Sequence, residues 1–166
     1  GEYFKCRKYI TGFTGSAGTA VIMQDMAGLW TDGRYFIQAA DQLEGTGITL
    51  FKMGEPEVPT VHEFLKKNLT QGRCLGFDGR TVSAKEAAEL EKMLDENGVS
   101  LSVDHDLAGD IWENRPVLSC EPVTELDIKW AGESRADKCA RIRKAMEKKG
   151  ADLFVLTSLD DIAWLL

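Results

Sequence analysis

Apolar positions along this chain switch repeatedly between two periods, and the switches predict an alternation of strands and helices. The first apolar run, residues 8–10, reads as a short strand, and residues 12–18 as a glycine-rich bend. Small and β-branched residues over 19–23 and 29–31 predict two strands joined by a turn at residues 25–28, a hairpin. Asp32 then stands where an N-cap would, ahead of a helix over residues 34–43 that Gly45 and Gly47 end. Residues 48–53 alternate like a strand, and 54–59 form a loop. Thr60 with Glu63 and Ser83 with Glu86 have capping-box spacing. They open one helix that runs to about residue 68 and a second with Ala87, Leu90 and Leu94 on one face, ended by Gly98. Short strands are expected at 74–77 and 99–103, and a short helix at 107–112, stopped before Pro116. Residues 116–132 have less period and read as a connector. Ser134 caps a helix over 135–149 with Cys139, Ile142 and Met146 as its stripe and Gly150 as its stop, and residues 152–156 read as a buried strand. The sum is an α/β chain whose hairpin makes the sheet mixed, with a domain boundary near residue 132.

Composition narrows the function classes. The 166 residues are 43% hydrophobic and 28% charged, as in soluble globular proteins, and no segment approaches the roughly 20 apolar residues of a membrane span. The net charge of −7 disfavours nucleic acid, whose affinity rests on many cation–phosphate contacts. The cluster Lys138, Arg141, Arg143, Lys144, Lys148 and Lys149 reads as the solvated face of the 135–149 helix. Cys6, Cys74, Cys120 and Cys139 are too widely spaced for a structural zinc site and read as reduced, mostly buried thiols of a cytoplasmic protein. The sequence opens without Met or a signal-peptide pattern, so we expect it to begin inside a longer polypeptide.

Candidate chemistry is sparse. His62 reads as a surface residue in the first turn of a helix, and Asp104-His105-Asp106 as a strand end with capping aspartates, since neighbouring side chains there point to opposite faces. The run from Gly12 through Gly15 to Gly18 lacks the Gly-Lys-Ser/Thr of a phosphate loop, and Thr14 stands where a nucleophile elbow needs Gly. A structural role for these glycines is expected. Asp25, Asp32 and Asp78 are too scattered for a nuclease cluster. Thr31-Asp32-Gly33-Arg34-Tyr35 is more pointed: a fixed cation at a strand-to-helix junction can bind a carboxylate in two-pronged fashion. The competing reading is a local Asp32–Arg34 pair that braces the turn.

Three segments, residues 7–20, 29–39 and 156–165, together resemble the long, three-domain aminopeptidase P family of the creatinase, prolidase and methionine aminopeptidase superfamily; residues 110–116 are similar to that family's end of domain one. The resemblance implies ribonuclease-H-like N-terminal α/β domains, the first over residues 1–132 without its initial strand and helix, the second begun at 133–166. It implies a separate pita-bread domain in which a dinuclear metal centre, usually manganese, held by Asp, His and Glu ligands, removes the residue preceding proline. No catalytic residue or metal ligand is then expected in this chain. Glu2 and Arg34 would match residues that reach toward the substrate cleft, while Gly12, Gly15, Gly18, Asp32, Gly33 and Tyr35 would be structural. The implied partners are proline-containing peptides and further copies of the same protein, with no nucleic acid and no membrane. The helix and strand of 135–156 would resemble the unit missing before Glu2, and the strand could fill the vacant sheet edge. The rival reading is a protein-interaction module of a non-catalytic pita-bread relative.

Overall fold

In the computed structural model, which describes residues 1–166, a 3-10 turn over Glu2–Phe4 leads into helix α1 (Cys6–Thr11). The expected strand at 8–10 is therefore a helix. Three residues carry too little period to separate the two states, and tertiary contacts decide the matter. Tyr9 stacks on Trp112 with ring centroids 4.5 Å apart, its hydroxyl donates to the Ile111 carbonyl at 3.0 Å, and Gly12, at φ 73°, closes the helix in the left-handed conformation.

Strands β1 (Thr19–Ile22) and β2 (Ala27–Thr31) form the expected hairpin, with Thr19 opposite Trp30 and Ile22 opposite Ala27. Asp32 caps a 3-10 turn over Gly33–Tyr35 that runs into α2 (Phe36–Leu43), and β3 (Ile48–Lys52) returns parallel to β2. The order is β1-β2-β3, a mixed sheet. Successive β2 side chains point to opposite faces. Leu29 is buried with Phe13, Ala39 and Leu43, and Trp30 with Val21, Leu65 and Leu90. Both faces of β2 are thus covered, which makes it the centre of the layered core. Trp30 stacks on Phe51 at 3.9 Å, meets Phe64 edge-on at 4.9 Å, and satisfies its indole N–H on the Pro59 carbonyl at 2.8 Å.

Helix α3 (Val61–Asn68) starts on a complete Thr60/Glu63 capping box. A second, two-stranded parallel sheet pairs β4 (Cys74–Gly76) with β5 (Ser100–Ser102) across α4 (Ala84–Asp95), whose Leu90 and Leu94 are buried. Helix α5 (Leu107–Ile111) is capped by Asp106, which accepts from the Gly109 N–H at 2.8 Å.

The chain divides into two units, Gly1–Leu118 and Ser119–Leu166. The second holds α6 (Ile128–Ala131), α7 (Arg135–Lys149) and α8 (Leu159–Leu165). Helix α7 has the bounds its Ser134 cap and Gly150 stop predict. Its most buried residue is charged: the Lys138 ammonium lies 4.8 Å from the Trp164 ring centroid and donates to the Trp164 carbonyl at 2.6 Å. The expected strand at 152–156 is absent, and Leu153, Phe154 and Val155 are exposed; Cys74 and Cys120, expected inside, are exposed as well, and Cys6 and Cys139 are only half-buried. A strand needs a neighbour to take its N–H and C=O groups, and this segment pairs with none. No helix is long and apolar enough to cross a membrane.

Candidate functional site

The C-terminal end of β2 delivers a short, polar turn to the surface. Thr31 is buried there and donates its hydroxyl to the Ala17 carbonyl at 2.8 Å, tying the strand end to the glycine-rich loop. Asp32 follows in extended backbone, and its carboxylate takes three donors from one residue: the Arg34 backbone N–H at 3.1 Å, Nε at 2.8 Å and Nη2 at 2.7 Å. Those charge-assisted bonds hold the Asp32 carboxyl down to about 2 and push the Arg34 guanidinium higher. The bracing pair read from the sequence is therefore formed. Arg34 remains two-thirds exposed, with its guanidinium 5.3 Å from the Tyr35 ring centroid.

The glycine-rich loop packs against this turn. Ser16 and Tyr35 share a hydrogen bond between hydroxyls at 2.7 Å, which lowers the Tyr35 phenol below its ordinary range. Buried Phe13 meets the Tyr35 ring edge-on at 5.9 Å. A Cβ on Gly15 would fall 2.2 Å from the Phe13 ring, and one on Gly18 would fall 2.7 Å from the Trp30 carbonyl oxygen. Gly33 touches only the far edge of Phe36, so its Cβ position is open. The loop through Gly15, Ser16 and Gly18 and the turn carrying Asp32, Arg34 and Tyr35 are thereby packed together, while Gly12 serves as the C-cap of α1. Glu2 is not in contact with them: it sits in the first 3-10 turn, paired with Lys5, whose ammonium lowers the Glu2 carboxyl.

Two groups escaped the sequence reading. Arg7 reaches from α1 to donate to the carbonyls of both Gly15 and Gly18, and its guanidinium lies 5.5 Å from the Phe13 ring centroid. Its side chain is the clamp that closes the loop, and burial pushes its guanidinium down. The second group is a repeat. Asp78-Gly79-Arg80 follows β4 as Asp32-Gly33-Arg34 follows β2, with the same fork: Asp78 accepts from the Arg80 backbone N–H at 3.0 Å, Nε at 2.8 Å and Nη2 at 2.8 Å. The repeated tripeptide was visible in the sequence; its partners were not. Arg80 also binds Asp106 at 2.7 Å and the Tyr3 hydroxyl at 3.3 Å, and Asp106 in turn binds Arg115. Asp78 and Asp106 both lie below the ordinary carboxylate range, through Arg80 and Arg115 respectively. They border a depression of about 460 Å³ lined also by Cys6, Arg7, Gly18 and His105.

The chemistry follows from this inventory. Every carboxylate in the two turns is already neutralised by an arginine, and no three His, Cys, Asp or Glu side chains converge into a metal cage. Asp106 of the Asp104-His105-Asp106 run serves as a helix cap. Arg34 keeps an exposed guanidinium fixed by Asp32, and Glu2 an exposed carboxylate paired with Lys5, groups whose chemistry suits charged ligands.

Residues 5–109 match the model of a creatinase/prolidase N-terminal domain, and residues 114–166 match a second model of the same description. A probable Xaa-Pro aminopeptidase P of Laccaria bicolor is 44% identical over 164 residues, covering 98% of this chain and 25% of that protein. Aminopeptidase P2 of Arabidopsis thaliana is 39% identical over 168 residues, covering 99% and 24%. Among solved structures, the X-prolyl aminopeptidase of Caenorhabditis elegans, described as a cytosolic enzyme with a di-nuclear active site, superposes with a TM-score of 0.81 at 35% identity, covering 99% of this chain and 27% of that one. The chain thus spans about a quarter of the length of these relatives.

Proposed function

We propose, because the chain belongs to the creatinase/prolidase N-terminal domain family, that it is the non-catalytic N-terminal region of a metal-dependent Xaa-Pro aminopeptidase and shapes access of proline-containing peptides to the catalytic domain. The names of its relatives and the di-nuclear site of the nematode neighbour support the reaction class. The residues present here do not fit a dinuclear centre, so the proposed manganese pair belongs to the remainder of the longer protein. The same proposal includes a cytosolic location, as for the nematode neighbour, and assembly with further copies. It places a domain boundary near residue 132, where α6 ends at Gly132 and Ser134 caps α7.

In this reading Arg34 and Glu2 form part of the wall that a peptide meets on entry, Arg34 attracting its carboxylate end and Glu2 its ammonium end. One observation carries it. The two Asp-Gly-Arg turns are built alike, yet Arg80 is consumed by Asp106 and Tyr3 while Arg34 has no second carboxylate or hydroxyl partner. A guanidinium has five N–H donors. Asp32 takes two of those on Arg34, leaving three oriented by the fork and open to a ligand. In the full-length protein, Arg34→Ala is expected to lower kcat/KM for Xaa-Pro peptides by roughly tenfold or more, the effect of losing one charge-assisted hydrogen bond. An unchanged kcat/KM combined with a lower melting temperature would leave Arg34 only its bracing role.

A further inference from the structure

The 3-10 turn that carries Glu2 is three residues long, and turns of that length do not hold themselves. Its own bonds are two backbone contacts, Phe4 N–H to the Gly1 carbonyl at 3.2 Å and Lys5 N–H to the Glu2 carbonyl at 3.1 Å, and the local Lys5–Glu2 ion pair. What fixes it is Tyr3, which is held from several sides by residues distant in sequence. Arg115 donates Nε to the Tyr3 backbone carbonyl at 2.9 Å, and its guanidinium carbon sits 3.8 Å from the Tyr3 ring centroid. Arg80 donates to the Tyr3 hydroxyl at 3.3 Å, and Phe4 packs edge-on at 4.9 Å.

Arg115 is itself fixed. Its side chain is only 10% exposed, Nη1 is paired with Asp106, and Nη2 lies 3.2 Å from the Cys6 sulfur. Asp106 is anchored at the N-terminus of α5 and is shared with Arg80. All the donors of Arg115 that face the protein therefore end on two places, the α5 cap and the first turns of the chain. A side chain built this way transmits the position of a rigid element to a turn that has no rigidity of its own. The planar fork and the flat face over Tyr3 are both needed, and lysine supplies neither.

We infer that Arg115, acting through Tyr3, is the positioning residue for Glu2, setting where its carboxylate stands relative to an incoming peptide. The inference rests on the substrate role proposed above for Glu2. In the full-length protein the test is a double-mutant cycle on kcat/KM for an Xaa-Pro peptide, combined with hydrogen exchange of residues 1–5. Arg115→Lys alone should reduce kcat/KM by roughly ten- to a hundredfold, as expected for a displaced binding group, and should speed exchange in that segment. In a Glu2→Gln background the same change should have little further effect. Tyr3→Leu leaves the Arg115–Asp106 pair and the bond to the residue 3 carbonyl in place but removes the ring face and the hydroxyl, and should give both results in smaller measure, which covers the case in which Arg115→Lys disturbs α5. A full loss on top of Glu2→Gln, or unchanged exchange over residues 1–5, would overturn the inference. If Glu2→Gln leaves kcat/KM untouched while Arg115→Lys still frees the segment, the substrate role of Glu2 falls and the clamp on its turn stands.

Discussion

Gly18→Ala tests the junction between the glycine-rich loop and β2 with the smallest possible change. Gly18 has φ 151°, a region open to glycine and costly for an L-residue by about 1–3 kcal/mol. The added methyl would also lie 2.7 Å from the Trp30 carbonyl oxygen and 3.5 Å from the Thr31 Cβ. That carbonyl is backbone of the central strand and cannot rotate away as a side chain would. Overpacking of this kind adds about 1–3 kcal/mol. The two effects together predict a loss of about 2–6 kcal/mol, a large part of the 5–15 kcal/mol that holds an ordinary domain folded. Gly45→Ala is the internal control. Gly45 also has positive φ, at 73°, but nothing lies within 4 Å of its Cβ position, so only the roughly 1–2 kcal/mol of left-handed strain applies. Urea unfolding of the chain, followed by tryptophan fluorescence, to which buried Trp30 contributes the change in environment, separates the two. With a slope near 2 kcal/mol per molar, the midpoint should fall by about 1–3 M for Gly18→Ala and by about 0.5–1 M for Gly45→Ala. Equal shifts would refute the argument, because they would mean that the strand carbonyl moves aside freely and that the close packing of loop on strand contributes nothing.

Two further outcomes follow from the arginines. Arg7→Met keeps an apolar stem beside Phe13 but strands the carbonyls of Gly15 and Gly18; it should lose about 2–4 kcal/mol in the same assay, with faster hydrogen exchange over residues 14–18. Acid should loosen the fold below about pH 4: Asp32, Asp78 and Asp106 all lie below the ordinary value of 3.8, so the unfolded chain binds more protons in that range, and their stabilisation is full above it and fades as pH falls toward about 2. Asp106→Asn should flatten that acid transition in a circular-dichroism titration, and superimposable curves would contradict the assignment.

The division between what the sequence determined and what the tertiary structure decided runs along the range of the interactions. Thr60 with Glu63, Ser134 with Asp137, and Gly150 after Lys149 act within one helical turn, so the ends of α3 and α7 were legible from residue types alone. The β1–β2 hairpin and the Asp32–Arg34 fork close within a few positions and were legible for the same reason. Residues 8–10 became helical because Tyr9 meets Trp112 more than a hundred positions away, and residues 152–156 stayed out of any sheet because an apolar run specifies a strand only where a neighbouring edge exists to pair with it. The mixed sheet was legible from the strand–helix alternation, but which strands pair and in what register, Leu29 with Leu50 and Leu75 with Leu101, is set by crossovers that no local pattern encodes. In the candidate site, Arg34 could be named from its motif, whereas the reach of Arg7 to the loop and of Arg115 to Tyr3, 112 positions apart, exists only once folding has brought their carbonyl partners within hydrogen-bond distance. Short-range bonds are properties of the sequence; long-range bonds are properties of the fold, because only the folded backbone sets the distances on which they depend.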